Sequence, residues 1–498
     1  MKNRVTLFNM LSGLLLQFCT IMSGFIVPRI ILAYFGSDTN GLVASLNQFL
    51  SYIALVEGGL TGVITASLYK PLVDHDISKV SSILVTAKQF YKKISLIFII
   101  YTFSLAAIYP LIINSRFDCL HIVALTIVLS IGMIIQYMFS LTLKTLLDAD
   151  KKSYVVSLTQ CVIIVLNILV ALIVVNVYPQ IHVLKLFTGL LFIIQPLLYG
   201  RFVKMHYEID WGAKPDNSLI KNRWNGFAIN IAAFIHNSTD IVILTLFTDL
   251  KTVSIYSVYA LVTNGLKQLI NSTTSGINPT IGQSYARNDC VQLNQKMDLY
   301  EYVIFVLVCF CYCLSTLLIT PFVLLYTSGV TDTNYNQPIF GILLSLSEVL
   351  YLIKAPHLGL AYSANKFKEI SIPAYIEAGL NILVSAILVY KLGLIGVAIG
   401  TIVGMTYRLI FHVYYTSKIV QNRSQMIFYK KFTIFTCIFV IGCLLSHLLY
   451  PIHVISIVEW IIHAIVYSLI IISLIIFSSL IFFKQELKFV KHYLIKKS

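Results

Sequence analysis

Apolar and polar stretches alternate along this chain on a scale of about 20 residues, the length an α-helix needs to cross a bilayer. The first apolar run opens near residues 13–16 and the last closes over 470–483. Taking each apolar window between polar breaks predicts fourteen spans, at 7–34, 42–68, 94–113, 120–143, 154–176, 183–203, 225–247, 253–283, 299–326, 338–362, 370–390, 394–416, 429–449 and 456–483. The first, second and eighth are longer than a bilayer requires and are expected to tilt or to run past it. The connecting segments are short (36–40 and 450–453) or modest and basic (69–93 and 204–224), so no polar stretch is long enough for a separate soluble domain. The fold class expected is an all-α polytopic membrane protein.

Lysine and arginine test this layout. Of the 36, 28 lie in the two termini and in the alternate loops or span ends on their side, and four (Arg116, Lys185, Lys251, Lys391) lie in the opposite loops or at the span ends beside them. The remaining four, Arg29, Lys267, Lys354 and Arg408, fall inside spans. That asymmetry is the positive-inside pattern, with both termini cytoplasmic. The net charge of +15 is therefore topological and calls for no nucleic-acid partner. Composition agrees: 11% of residues are charged, against about 25% in soluble domains, and mean hydropathy is +0.85. The nine cysteines lie mostly in apolar runs without C-x-x-C spacing, which reads as small apolar fillers. The opening Met-Lys-Asn-Arg resembles the start of a signal peptide, but the apolar run after it passes through Pro28 and Arg29 without a small-residue cleavage site and is expected to be a retained span.

One segment recurs. Ala149-Asp150-Lys151-Lys152, followed by Asn167-Ile168-Leu169-Val170, returns as Ala364-Asn365-Lys366 followed by Asn381-Ile382-Leu383-Val384. The first copy follows span four and the second span ten, a shift of six spans that preserves orientation, so the repeat is parallel. The expected organisation is an N-terminal six-helix bundle at 1–205, a cytoplasmic linker at 206–224, a second six-helix bundle at 225–420, and two further helices with a basic tail at 421–498. Two such bundles facing a central cleft make an alternating-access transporter.

Charge within a bilayer costs at least ~2.5 kcal/mol per residue, so each buried ion points to function. Arg29, Lys267, Lys354 and Arg408 are expected to line a cationic chamber suited to phosphate. Glu57, Asp240, Glu348 and Glu377 are candidates for ion coupling or for balancing those charges. Lys354 and His357 are three apart, Arg408 and His412 four apart, and His236 and Asp240 four apart, so each pair is predicted to share a helix face. Arg29 is also placed to snorkel towards the interface, and Glu459 to be interfacial. No phosphate-binding glycine loop, H-E-x-x-H or G-x-S-x-G is present, and no metal or organic cofactor is expected. The chain is not read as an enzyme; its energy would come from H⁺ or Na⁺ gradients, the membrane potential or substrate flow.

Several motifs resemble those of the Wzx-type polysaccharide flippases. Pro28-Arg29-Ile30-Ile31-Leu32, Phe35-Gly36 and Gly41-Leu42 look like that family's first span, and Glu57-Gly58-Gly59-Leu60 with Leu68-Tyr69-Lys70-Pro71-Leu72 like its second. Residues 146–155 are similar to the loop after the fourth span, and 239–244 with 253–259 to the region of the seventh. The resemblance implies the multidrug/oligosaccharidyl-lipid/polysaccharide (MOP) exporter superfamily, with 12 or 14 helices in two bundles. It implies a flippase carrying an undecaprenyl-diphosphate-linked oligosaccharide repeat unit from the cytoplasmic to the outer leaflet of the bacterial cytoplasmic membrane, for capsule, exopolysaccharide or O-unit synthesis. Partners would be that lipid, membrane lipid, and polysaccharide polymerase and assembly proteins. Arg29, Glu57, Asp240 and Lys267 lie in helices that line the cavity in such relatives; a lysine at 267 departs from the arginine expected there. The alternatives are a lipid II-type flippase, an ion-coupled multidrug exporter, which a cationic cleft disfavours, and a membrane glycosyltransferase or polymerase, which would need a large outer loop.

Overall fold

The computed structural model describes residues 2–57, 59–113, 115–216, 238–274, 277–420 and 422–495, and these are helical with no strand among them. Their contacts divide the chain into two units, one of Met1–Phe234 with Asp249–Ser254 and one of Ile235–Thr248 with Ile255–Ser498. Unit 1 contains α1 (Lys2–Leu50), α2 (Ile53–Glu57), α3 (Leu60–Val73), α4 (Ile77–Ile112), α5 (Cys119–Ile135), α6 (Leu141–Ala149), α7 (Ser153–Val177), α8 (Ile181–Leu190) and α9 (Ile194–His206). A π turn, Gln136–Ser140, joins α5 to α6. Next come α10 (Ser238–Phe247) and α11 (Leu250–Thr274). Unit 2 continues with α12 (Asn278–Ala286), α13 (Cys290–Tyr326), α14 (Pro338–Ile353), α15 (Ala355–Ser363), α16 (Phe367–Leu392), α17 (Leu394–Tyr415), α18 (Met426–Leu449), α19 (Ile457–Phe482) and α20 (Lys484–Ile495).

Among the described residues, eleven helices are long and apolar enough to cross a membrane, and they coincide with eleven of the fourteen predicted windows. The other three windows depart for separate reasons. The second is divided among the end of α1, α2 and α3, because the chain turns at Ser51–Tyr52 and again at Gly59; α1 itself kinks earlier, at Gly36. Both glycines have positive φ, 78° and 74°, a conformation that a Cβ disfavours. The seventh window falls partly on 217–237, outside the described residues, together with His236 and the linker after residue 216. The eighth forms α11 and α12, which carry too many Ser, Thr, Asn and Gln to reach the hydropathy of a span.

The repeat is visible in the backbone. His75 and Asn288 both adopt left-handed φ, 56° and 54°, just before helices whose first turns are capped by Asp76 and Asp289. Asp76 accepts the Lys79 amide at 3.0 Å, which holds its carboxyl below the usual range, and Asp289 accepts that of Gln292 at 2.9 Å. Lys151 and Asn365, in the two copies of the sequence motif, are also left-handed, at 60° and 56°.

Within unit 2, α16 and α17 are joined at Gly393 and packed along a stripe of small residues at one-turn spacing. A Cβ on Gly396 would stand 2.6 Å from the Leu388 carbonyl carbon, one on Gly404 3.0 Å from the Glu377 oxygen, and one on Gly400 against Ser385. Small residues let two backbones approach where lipid supplies no hydrophobic drive. This packing sets Glu377 beside Arg408 and Asn381 beside Thr401.

Candidate functional site

Three of the four predicted cations meet in unit 2. Lys267, on α11, pairs with Glu348 on α14 at 2.8 Å, and both are partly accessible. Arg408, on α17, pairs with the buried carboxylate of Glu377 on α16 and donates through Nε to His412 at 3.3 Å. Lys354 stands between them at the junction of α14 and α15 and is only 2% exposed. Its ammonium lies 4.2 Å from the centre of the Tyr351 ring and donates to the Met405 sulfur at 3.6 Å. The same ring lies 5.1 Å from the Lys267 ammonium. Cation–π contact of this kind is worth about 2 kcal/mol or more when desolvated. The cluster thus sets three basic side chains against two carboxylates, and each carboxylate pairs with Lys267 or Arg408 and not with Lys354.

Arg29 belongs to unit 1, half-buried on α1 one residue after Pro28. The coupling candidates also divide between the units. Glu57, at the end of α2, accepts the hydroxyls of Thr61 and Tyr137, the latter at 3.1 Å. Thr61 also meets the Tyr91 hydroxyl at 2.7 Å. In unit 2 the buried Asp240 accepts Tyr256 at 2.9 Å and Thr401 at 3.1 Å. Each carboxylate therefore takes one tyrosine and one threonine hydroxyl.

The expected pairing of Arg408 with His412 is present, whereas Lys354 and His357 look to different partners because the helix breaks at Lys354. His357 instead meets the Thr416 hydroxyl at 2.6 Å and Glu301 at 3.4 Å. Glu301 opens a cluster that sequence reasoning missed. Arg423 clasps it with both guanidinium nitrogens, at 2.6 and 2.9 Å, and also pairs with Asp298. Lys431 reaches Asp298 at 2.8 Å, Glu301 at 3.0 Å and Glu486 on α20 at 3.9 Å. Burial opposes the charge on Arg423, yet hydrogen bonds and the fields of Glu301 and Asp298 hold its guanidinium above the ordinary arginine range. The cluster ties α13, α15, α18 and α20 together. Its members are up to 188 residues apart (298 to 486), and Arg423 reads in sequence as one more basic loop residue.

No protein-family profile and no curated protein matches the sequence. Solved structures do match. The lipid II flippase MurJ, in an inward closed conformation, superposes with a TM-score of 0.69 at 16% identity, over 95% of this chain and 100% of that one. The chain shares the fold of that structure. A multidrug-resistance MATE transporter of the MOP superfamily, in an inward-facing conformation, gives 0.63 at 16% identity, covering 81% of this chain and 96% of that one. The MATE multidrug transporter DinF-BH gives 0.64 at 15% identity, covering 85% of this chain and 96% of that one. The shared fold accounts for the all-helical architecture.

Proposed function

We propose that this protein is an alternating-access flippase that moves undecaprenyl-diphosphate-linked oligosaccharide repeat units from the cytoplasmic to the outer leaflet for surface polysaccharide synthesis. The observation that carries the reading is Lys354, a buried amine whose neighbours are a ring and a thioether, in a cluster whose carboxylates pair with other groups; as an ammonium it offers an uncompensated positive charge. A diphosphate supplies the anionic oxygens that such a group lacks. Lys267 and Arg408 flank it, each paired with a carboxylate. A cationic drug would meet that charge unfavourably.

Losing one charge-assisted hydrogen bond, worth about 1.5–3 kcal/mol, weakens binding about tenfold or more. Lys354→Met is therefore expected to cut surface polysaccharide about tenfold in cells holding normal amounts of the protein. Undiminished export would remove Lys354 from the substrate site. A lipid II substrate is the second reading, favoured by the match to MurJ along nearly the whole of both chains. Growth of cells depleted of their own lipid II flippase, restored by this chain, would establish it in place of the first.

Glu57 and Asp240 are assigned to ion coupling, since each is a carboxylate held by hydroxyls that serve a charged or a protonated acid. Glu57→Gln and Asp240→Asn should flatten the response of flipping to an imposed pH or Na⁺ gradient in proteoliposomes. A gradient response identical to that of the parent protein would exclude the role.

A further inference from the structure

The two halves of the repeat treat one pair of polar residues differently. In unit 2, Thr401 donates to both oxygens of Asp240 at 3.1 Å, the Asn381 amide reaches the Thr401 hydroxyl at 3.4 Å, and Ser385 donates to Asn381 Oδ1 at 3.0 Å. An internal carboxylate thus completes the Asn–Thr pair. At the 214-residue offset of the repeat, Asn381 falls on Asn167 and Asp240 on Ile26, while Thr401 falls on Phe187, with Thr188 next to it. Ile26 packs into the apolar cluster of Ile30, Val174 and Leu184, so an apolar side chain stands where unit 2 has its carboxylate.

What unit 1 has there is a cavity of about 280 Å³, approaching the roughly 300 Å³ at which small-molecule sites begin. Asn167 and Thr188 line it together with Lys185, Gln136, Phe192 and the exposed Asn47. None of its lining residues is acidic among the described residues. Asn167 Oδ1 is buried and accepts no hydrogen bond, although a buried acceptor left unmade costs about 1–3 kcal/mol. Lys185, counted in the sequence as a loop charge, sits one turn inside α8, and no carboxylate among the described residues pairs with it. Gln136 opens the π turn, a distortion frequent at functional sites. Gly132 leaves room for the Phe192 ring, whose edge would be 2.8 Å from a Cβ there.

We propose that this cavity binds an acidic sugar of the carried glycan. Its carboxylate pairs with Lys185 where unit 2 uses Asp240, a ring hydroxyl donates to Asn167 Oδ1, and the apolar face of the ring lies on Phe192. This rests on the lipid-linked oligosaccharide reading and adds a substrate class to it.

The test uses the full-length protein in nanodiscs, with glucuronate and glucose as probes in saturation-transfer NMR. Transfer to glucuronate should exceed transfer to glucose, and Lys185→Gln and Asn167→Leu should abolish that excess while Lys185→Arg keeps it. Equal transfer to the two sugars, or an excess that survives in both variants, overturns the proposal. Gly132→Ala, which displaces the Phe192 ring without touching the polar groups, is the reserve variant if Asn167→Leu does not fold, and should weaken transfer to both sugars. In proteoliposomes, Lys185→Gln should lower the ratio of flipping of a glucuronate-bearing lipid diphosphate to that of undecaprenyl diphosphate about tenfold, the loss of one charge-assisted hydrogen bond. An unchanged ratio overturns the sugar site and leaves the flippase reading standing. A parent protein that flips neither lipid overturns the flippase reading, and the glucuronate measurement then decides the cavity by itself.

Discussion

Arg423→Leu should lower stability by about 3–5 kcal/mol, the cost of stranding a buried ion by removing its partner. The ion is Glu301, which has 0% exposure and loses two of its hydrogen bonds in the substitution. Lys431 stays within 3.0 Å of it but is shared with Asp298 and Glu486, so it does not replace a bidentate guanidinium. The measurement is thermal unfolding of purified protein, together with the amount that accumulates in membranes. Adding Glu301→Gln should recover most of the loss, because it removes the stranded charge. A single variant as stable as the parent would show that the cluster is not held by this pair.

The second large effect concerns Arg408 and Glu377. Arg408→Leu leaves the fully buried Glu377 without its guanidinium and should likewise cost about 3–5 kcal/mol. Replacing both residues by leucine removes the pair as a unit, and buried pairs exchanged for apolar groups are often neutral in stability. Stability should therefore return in Arg408→Leu/Glu377→Leu. Polysaccharide export should not return if the guanidinium also meets substrate. If export is restored with stability, Arg408 is a structural residue and leaves the anion site to Lys354 and Lys267.

These two clusters mark the boundary of what the sequence reveals. Apolar runs and loop charges depend on neighbours a few residues away, so eleven of the predicted windows appear as spanning helices. The repeat is legible because copies of one backbone event keep similar residues, as at Lys151 and Asn365. Window two reads as one helix because Ser51, Tyr52 and Gly59, where the chain turns, sit in apolar company that outweighs them in any hydropathy average. The candidate site is legible as residue types but not as pairs. Glu348 and Glu377 read as charge-balancing groups, but only the folded chain shows that each takes one cation and that Lys354 takes neither. Tyr351, which both lysines approach, is one of 30 tyrosines and carries no sequence signal. Arg423 pairs across 122 residues with Glu301, a separation that no local pattern encodes.

The glycine stripe between α16 and α17 has a consequence for watching such a protein at work. Two helices whose backbones touch at Gly396, Gly400 and Gly404 have no room to slide or splay. Spectroscopic labels on the outer faces of this pair will keep one separation while separations elsewhere follow the transport cycle. The pair is a built-in ruler, against which every other distance change in the molecule can be calibrated.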